Sequence, residues 1–586
     1  MLHAIRTLRA LGAALLLVTS PALASIRYVD ANLATGANDG TSWADAYRGV
    51  DALQTALTAA VSGDELWVVQ GTYKPTATAT RTIYFTLKTN VGVYGGFAGG
   101  ETARAERDPA LHVTILSGDL AGNDGSAIYT DNSYHVVNGA SAAATAVLDG
   151  FVVEGGNANS TANQDRGGGF LMLSGSNATI RNCIVRNNRC TFGGGAGYVN
   201  ASSPTWEDCR FENNLGGSFG GAFDMATNVG AIFRRCTFSG NSAARAGGVE
   251  IFGTSNVQLV NCVFRGNTAT GTTGGGAILV LSSSTVTVRA CTIHGNSSPT
   301  ASGAGLVVSG ATGTVASTIL YANTGVGGAQ GAANQVQGAT VTYSCVQGGF
   351  AGTGNISVAP LFVDAVNGDF RLLAGSPGID AGNNGTMPAG TTTDRAGAPR
   401  YADDPATVDT GFGAPPVVDM GAFEYQPPLF RAFCAGDGSL SDHTTDCPCA
   451  NFGAAGNGCA NSVNASGANL LATGAAASDD VVLQGSGMPA NVACIYLQGD
   501  ALEDAVFGDG VRCAGGALVR LRTKVNAGGA SSFPEAGVDT ITLSARGGVA
   551  VGSGAVRFYQ TYYRNSAAAF CPPETFNVTN GWQIAW

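Results

Sequence analysis

Between residues 167 and 296, apolar and polar positions follow one pattern five times over. The five segments are "GGGFLMLSGSNATIRNCIVRNN" (167–188), "GGGAGYVNASSPTWEDCRFENN" (193–214), "GGAFDMATNVGAIFRRCTFSGN" (220–241), "GGVEIFGTSNVQLVNCVFRGN" (247–267) and "GGGAILVLSSSTVTVRACTIHGN" (274–296). Each opens on glycines, continues in short runs of alternating apolar and polar residues, and closes on asparagine. Cys183, Cys209, Cys236, Cys262 and Cys291 step by 26, 27, 26 and 29 residues, and an asparagine follows each by five, at Asn188, Asn214, Asn241, Asn267 and Asn296. The constant Cys-to-Asn distance places the length differences between strands. Alternation of period two predicts strands, and so short a unit has no room for a helix, so each is one coil of three strands. Stacked in parallel about 4.8 Å apart, such coils bury each inward side chain against its copies above and below. The prediction is an all-β right-handed parallel β-helix.

Within a coil, the cysteine and the residue two later (Val185, Phe211, Phe238, Phe264, Ile293) share the inward face, while Arg186, Glu212, Arg265 and His294 face out. Asparagine tolerates the left-handed conformation of a tight corner, and its amide can hydrogen-bond along a column. Glycine pairs serve a second corner.

The flanking sequence sets the boundaries. Residues 25–80 predict a cap, with one amphipathic helix over 46–60 and a strand in "DELWVVQGTY"; a helix across the end of a solenoid covers unpaired strand edges. The β-helix itself spans 81–349, its first coils irregular. A module follows over 350–426, then a linker at 427–430, then residues 431–586, whose seven cysteines and short runs between turns predict a small β-sandwich-like domain with disulfides.

Composition narrows the class. Only 12% of residues are charged and 45% are hydrophobic, with 86 glycines among 586 residues, which excludes disorder and fits a turn-rich β protein. Residues 1–24 have the form of a secretory signal: Arg6 and Arg9, then "ALGAALLLVTS", then "ALA" ending at Ala24. Removing them shifts the formal charge from −11 to −13, because two arginines and no acids are lost. An acidic chain without a basic stretch excludes nucleic acid and anionic lipid as partners, and no later apolar run is long enough for a transmembrane helix. The expected protein is secreted or associated with the outer membrane or cell surface, and monomeric.

Units of GG-(A/V) followed by F-x-x-N resemble the repeats of the chlamydial polymorphic outer-membrane proteins, and more broadly the right-handed β-helix proteins of the pectate-lyase-like fold. The phenylalanine of that signature stands at Phe211, Phe238 and Phe264, with Val185 and Ile293 as departures. "NGDFRLLAGSPGIDAGNNG" (367–385) and "VDMGAFEYQ" (418–426) resemble a choice-of-anchor Q module, which implies extracytoplasmic display without an activity. A terminal barrel like that of the chlamydial proteins is not expected, although the chain ends in Trp586.

Candidate chemistry is sparse. No helix pattern follows the glycine clusters, so they are corners and not phosphate loops. The ladder cysteines lie a coil apart, so they do not converge on a metal; packed thiols are expected, with an occasional disulfide between adjacent coils as the alternative. Counted from the second glycine of each unit, Asp224 and Glu250 fall on opposite faces, and no acid column results. Asp208, Arg210 and Glu212 make a mixed-sign surface with Arg186, Arg235, Arg265 and His294. Asp119, Asn123 and Asp124, with Asp131 and His135 nearby, are the candidate calcium ligands, against the alternative of a plain Asx-rich turn; "DGSLSDHTTD" (437–446) is a weaker case. No catalytic residue and no other cofactor is expected. The functional expectation is a non-catalytic adhesion scaffold that binds carbohydrate, cell-surface or matrix components. The alternative is a polysaccharide lyase or glycosidase with its acids in the coils before residue 165.

Overall fold

The computed structural model describes residues 25–586 except 273, 300–302, 405–406, 428–429, 441 and 568; the secretory-signal reading of 1–24 and part of the 427–430 linker lie outside the described residues. Three parallel sheets of 11, 10 and 9 strands, here sheets A, B and C, wind into a right-handed β-helix. One coil visits them as Phe170–Met172 in sheet C, Thr179–Arg181 in sheet A and Ile184–Arg186 in sheet B. The next coil lies in register beneath it, with Phe170 on Gly197, Ile180 on Trp206 and Val185 on Phe211.

Alternation within each strand fills the interior. Cys209, Phe211, Phe238 and Phe264 are fully buried, and Phe238 stacks on Phe264 with centroids 4.3 Å apart and on Phe211 at 4.8 Å. Trp206 exceeds the space one coil allows. Gly197, between Phe170 and Phe223 in the column, vacates it, and the indole meets both phenylalanines edge-on at 5.0 Å.

Each ladder cysteine is a buried free thiol whose Sγ–H donates to the carbonyl two residues earlier, at 3.1 Å for Cys183, 3.2 Å for Cys209 and 3.3 Å for Cys236, Cys262 and Cys291. Hydroxyls continue the column: the Cys291 N–H donates to Thr318 Oγ1 and the Thr318 N–H to Ser344 Oγ. Burial raises the pKa of Cys209, Cys236 and Cys291, which keeps these thiols inert.

The asparagine column differs from expectation in one respect. The left-handed corner residue is the one before it: Asn187, Asn213, Gly240, Gly266 and Gly295, with φ of 55°, 53°, 65°, 59° and 66°. The ladder asparagine turns its side chain inward instead. Nδ2 of Asn188, Asn214, Asn241 and Asn267 donates to Oδ1 of the next asparagine at 3.1, 3.0, 2.9 and 2.8 Å, and Asn296 continues to Asn323 at 2.9 Å. Each Oδ1 also accepts the backbone N–H of the preceding ladder residue, as Asn241 does from Asn214 at 3.0 Å. Corner geometry and amide stacking need different side-chain directions, so two adjacent residues divide the tasks. The column ends on Gln335, whose longer side chain takes the place of an asparagine and accepts from Asn323 Nδ2 at 2.7 Å.

The cap helix is shorter than expected, Ala52–Ala59, because Gly49 at φ 94° interrupts the run before it. Ala52, Leu53, Ala56 and Leu57 join the same core as Val29 and Leu66.

The described chain divides into two compact units. The first runs to Tyr401 and includes Thr410–Glu424; the second comprises Ala402–Asp409 and Tyr425–Trp586. In the first unit, the stretch after the last coil returns along the outside of sheet B. Phe370 and Ala422 bury against Val263, Arg395 Nε donates to Thr237 Oγ1 at 3.0 Å, and the Ala422 N–H donates to Thr292 Oγ1 at 3.0 Å.

The second unit is antiparallel. A six-stranded sheet packs against the three strands Asn469–Thr473, Val482–Ser486 and Ser531–Phe533, with Leu470, Leu483, Tyr496, Leu521, Tyr559 and Ile584 between them. Disulfides join Cys434 to Cys513, Cys447 to Cys459 and Cys449 to Cys571, leaving Cys494 as a buried thiol. Trp586 is part of this core, its Nε1–H donating to Tyr559 Oη at 2.8 Å.

Candidate functional site

The calcium candidates lie on a turn that largely satisfies itself. Asp119 accepts three main-chain N–H groups, from Gly122 (2.6 Å) and Asn123 (3.1 Å) on Oδ1 and from Asp124 (3.0 Å) on Oδ2. Asp124 accepts from Asn132 Nδ2 at 3.0 Å, and burial raises its pKa. Asp131 Oδ2 accepts the Ala121 N–H at 3.0 Å, and Asn123 Oδ1 has no partner among the described residues. His135, named beside the calcium candidates, is 2% exposed with Nδ1 against the Gly167 carbonyl at 2.9 Å, and burial lowers its pKa.

Asp224 and Glu250 require a correction. They do not face opposite ways: Asp224 pairs with Glu250, and the column reads Leu171, Tyr198, Asp224, Glu250, Leu279, Val307 on the outside of sheet C. Phe223 pairs with Val249, so Gly221 corresponds to Gly247, the first glycine of the next pair and not the second. Counting from equal glycine numbers shifted one strand by a residue, which inverts its faces.

The pair is closed off from solvent. Asp224 is 0% and Glu250 1% exposed. Arg245 binds Glu250 at 2.7 Å and lies over Phe219, while Arg166 lies over Phe192 and donates to Tyr198 Oη at 3.0 Å. Neither oxygen of Asp224 has a hydrogen-bond partner among the described residues. Burial lifts Asp224 to about 7, against the pull of Arg166 and Arg245, and lifts Glu250 to about 8. Convergent carboxylates beside arginine are what a glycan-cleaving site needs, but here no oxygen is open to a ligand.

Elsewhere the outward acids are neutralised in place. Glu154 pairs with Arg186 (2.7 Å), Asp208 with Arg235 (2.8 Å), Glu212 with Arg210 (2.6 Å), and Asp149 with both Arg107 (2.8 Å) and Arg181 (2.7 Å). The Arg186, Arg235 and Arg210 pairs are partially exposed and order the surface more than they stabilise it, whereas Asp149 is buried between its two arginines.

Two open cavities lie on one outer row of sheet B, which runs Ser117, Glu154, Arg186, Glu212, Ser239, Arg265 and His294 in successive register. The first, about 320 Å³, is lined by Ser117, Asp119, Asp124, Tyr129, Glu154 and Arg189 among others. The second, about 410 Å³, is lined by Ser239, Arg265, His294, Val366 and Phe370 among others. Repeats fix the row, but the cavities come from the 119–129 loop and the returning 362–370 segment; the sequence marks Asp119 and Asp124 as candidate ligands and 367–385 as part of a module, but nothing in its pattern places either segment on this row.

Residues 112–273 and 221–359 match the family described as right handed beta helix region. Among solved structures, the crystal structure of pectate lyase Pel9A is similar at 13% identity and a TM-score of 0.39, covering 69% of this chain and 97% of that one. No curated protein matches the chain. No helix among the described residues is long and apolar enough to cross a membrane.

Proposed function

We propose that this protein is an exported, non-catalytic scaffold that holds an extended polysaccharide or matrix polymer along the outside of sheet B. The observation that carries this reading is the placement of two cavities on one row of side chains. Glu154 in the first and Ser239 in the second are three coils apart, roughly 14 Å at the strand spacing. A polymer lying along the helix axis passes both, whereas a small isolated ligand needs only one.

Binding is favoured over cleavage because, among the described residues, the one pair of acids on the coils with strongly raised pKa values, Asp224 and Glu250, is closed to solvent. The three disulfides fit folding in an oxidising compartment. In this reading the choice-of-anchor Q-like stretch serves display at the cell surface.

The test is electrophoresis of the whole chain through gels containing acidic or neutral polysaccharides, with and without calcium, alongside assays for new reducing ends and 4,5-unsaturated products. Retarded migration with no products is expected. Product release proportional to protein concentration would overturn the non-catalytic reading in favour of a lyase or glycosidase.

A further inference from the structure

The second cavity holds an arginine without a carboxylate partner among the described residues, a state shared by Arg189 of the first cavity, whose side chain meets Tyr129. Arg186, Arg210 and Arg235 each bind a carboxylate. Arg265 donates Nε–H to Ser239 Oγ at 3.2 Å and forms no ion pair among the described residues. The acids of the hairpin passing over it are occupied: Asp364 by Asn367 at 2.6 Å, and Asp369 by Arg371 at 2.6 Å. Gly368, at φ +86°, lies against the guanidinium, and a Cβ there would collide with Arg265 Nη1. The hairpin therefore leaves room for the arginine without neutralising it.

The other side chains lining the cavity are neutral. His294 packs on Phe370 with ring centroids 5.0 Å apart, and burial brings its pKa down to about 4, so the imidazole is uncharged near neutrality. One guanidinium beside a neutral ring and a hydroxyl balances a single negative charge; a phosphate dianion would leave one charge uncompensated. The first cavity, with Asp119, Asp124 and Glu154 against Arg189, has the opposite balance.

We infer that the Arg265 cavity binds one singly charged oxyanion substituent, a carboxylate or a sulfate ester, on a saccharide unit. Arg265 supplies the ion pair, Ser239 and His294 neutral hydrogen bonds, and Phe370 an apolar wall for the ring. This rests on the reading of sheet B as a polymer-binding face and adds to it a direction: the anionic unit sits toward the C-terminal coils, away from the acidic cavity.

The test is calorimetric titration of the whole chain with length-matched neutral, uronate-bearing and sulfated oligosaccharides, repeated on Arg265→Gln and Arg265→Lys after their melting has been matched to the parent. An anionic oligosaccharide is expected to bind the parent about tenfold more tightly than the neutral one, the worth of one charge-assisted hydrogen bond. Arg265→Gln should abolish that preference, so that anionic and neutral oligosaccharides bind alike, and Arg265→Lys should keep part of it. The uronate and sulfate arms separate the two substituents. Equal affinity for neutral and anionic ligands, or a preference that survives Arg265→Gln, would overturn the inference alone. Binding of none of the three would remove the polymer-binding reading beneath it.

Discussion

Phe238→Asp is expected to abolish cooperative folding of the central coils, with a loss on the order of 5 kcal/mol or more. Phe238 is fully buried, stacks on Phe211 above and Phe264 below, and meets Phe233 at 5.4 Å. Truncating a buried phenylalanine alone costs about 3–5 kcal/mol, and a carboxyl group there finds no polar partner in the column. Each coil contacts chiefly its neighbours, so the defect divides the solenoid. Denaturant unfolding followed by circular dichroism checks it, and an unchanged midpoint would show that position 238 does not face inward.

The residues behind that expectation were legible in the sequence because a solenoid repeats its physics. One inward position occurs in every coil, so five copies of Cys-x-Val/Phe/Ile outvote any single exception. Asn188 to Asn296 were found the same way, though the corner itself belongs to the residue before each. Features that depend on exact register or on long-range contact were not legible. Asp224 and Glu250 were separated because glycine clusters of unequal length obscured the register by one residue. The cavity at Arg265 depends on Phe370 and Gly368, more than 100 residues away in sequence and brought there by the returning segment.

Asp224→Asn is expected to stabilise the β-helix at neutral and alkaline pH. The folded pKa, about 7, lies above the ordinary value of 3.8, so the folded state binds the proton more tightly than the unfolded one. Stability from this group is therefore complete below about pH 4 and is lost as pH rises through about 7. Roughly three pKa units at about 1.4 kcal/mol each put the cost near 4 kcal/mol in the alkaline limit. Asparagine has nearly the same shape and no charge to bury. The charged and titratable groups facing the position (Asp165, Arg166, Cys190, Tyr198, Arg245 and Glu250) stay in place. Unfolding midpoints at about pH 4 and about pH 8.5 should coincide for parent and variant in acid and separate in favour of the variant in base. A variant weaker at both, or with the parent's alkaline slope, would mean that Asp224 is held ionised by the arginines.

The claim that a polymer lies along sheet B is tested most directly by hydrogen exchange on the whole chain with and without a saturating polysaccharide. The exposed corner residues beside the row are the reporters, Gly125 and Asn187 at the first cavity and Gly240, Gly266 and Gly295 at the second; the N–H groups of Asn187, Gly240 and Gly295 donate to carbonyls of the next coil and start from slower exchange. Slowed exchange at both groups and across 365–370, with none around Asp224 and Glu250 on sheet C, is the expected result. Protection at one cavity alone, or on another face of the coils, would contradict it.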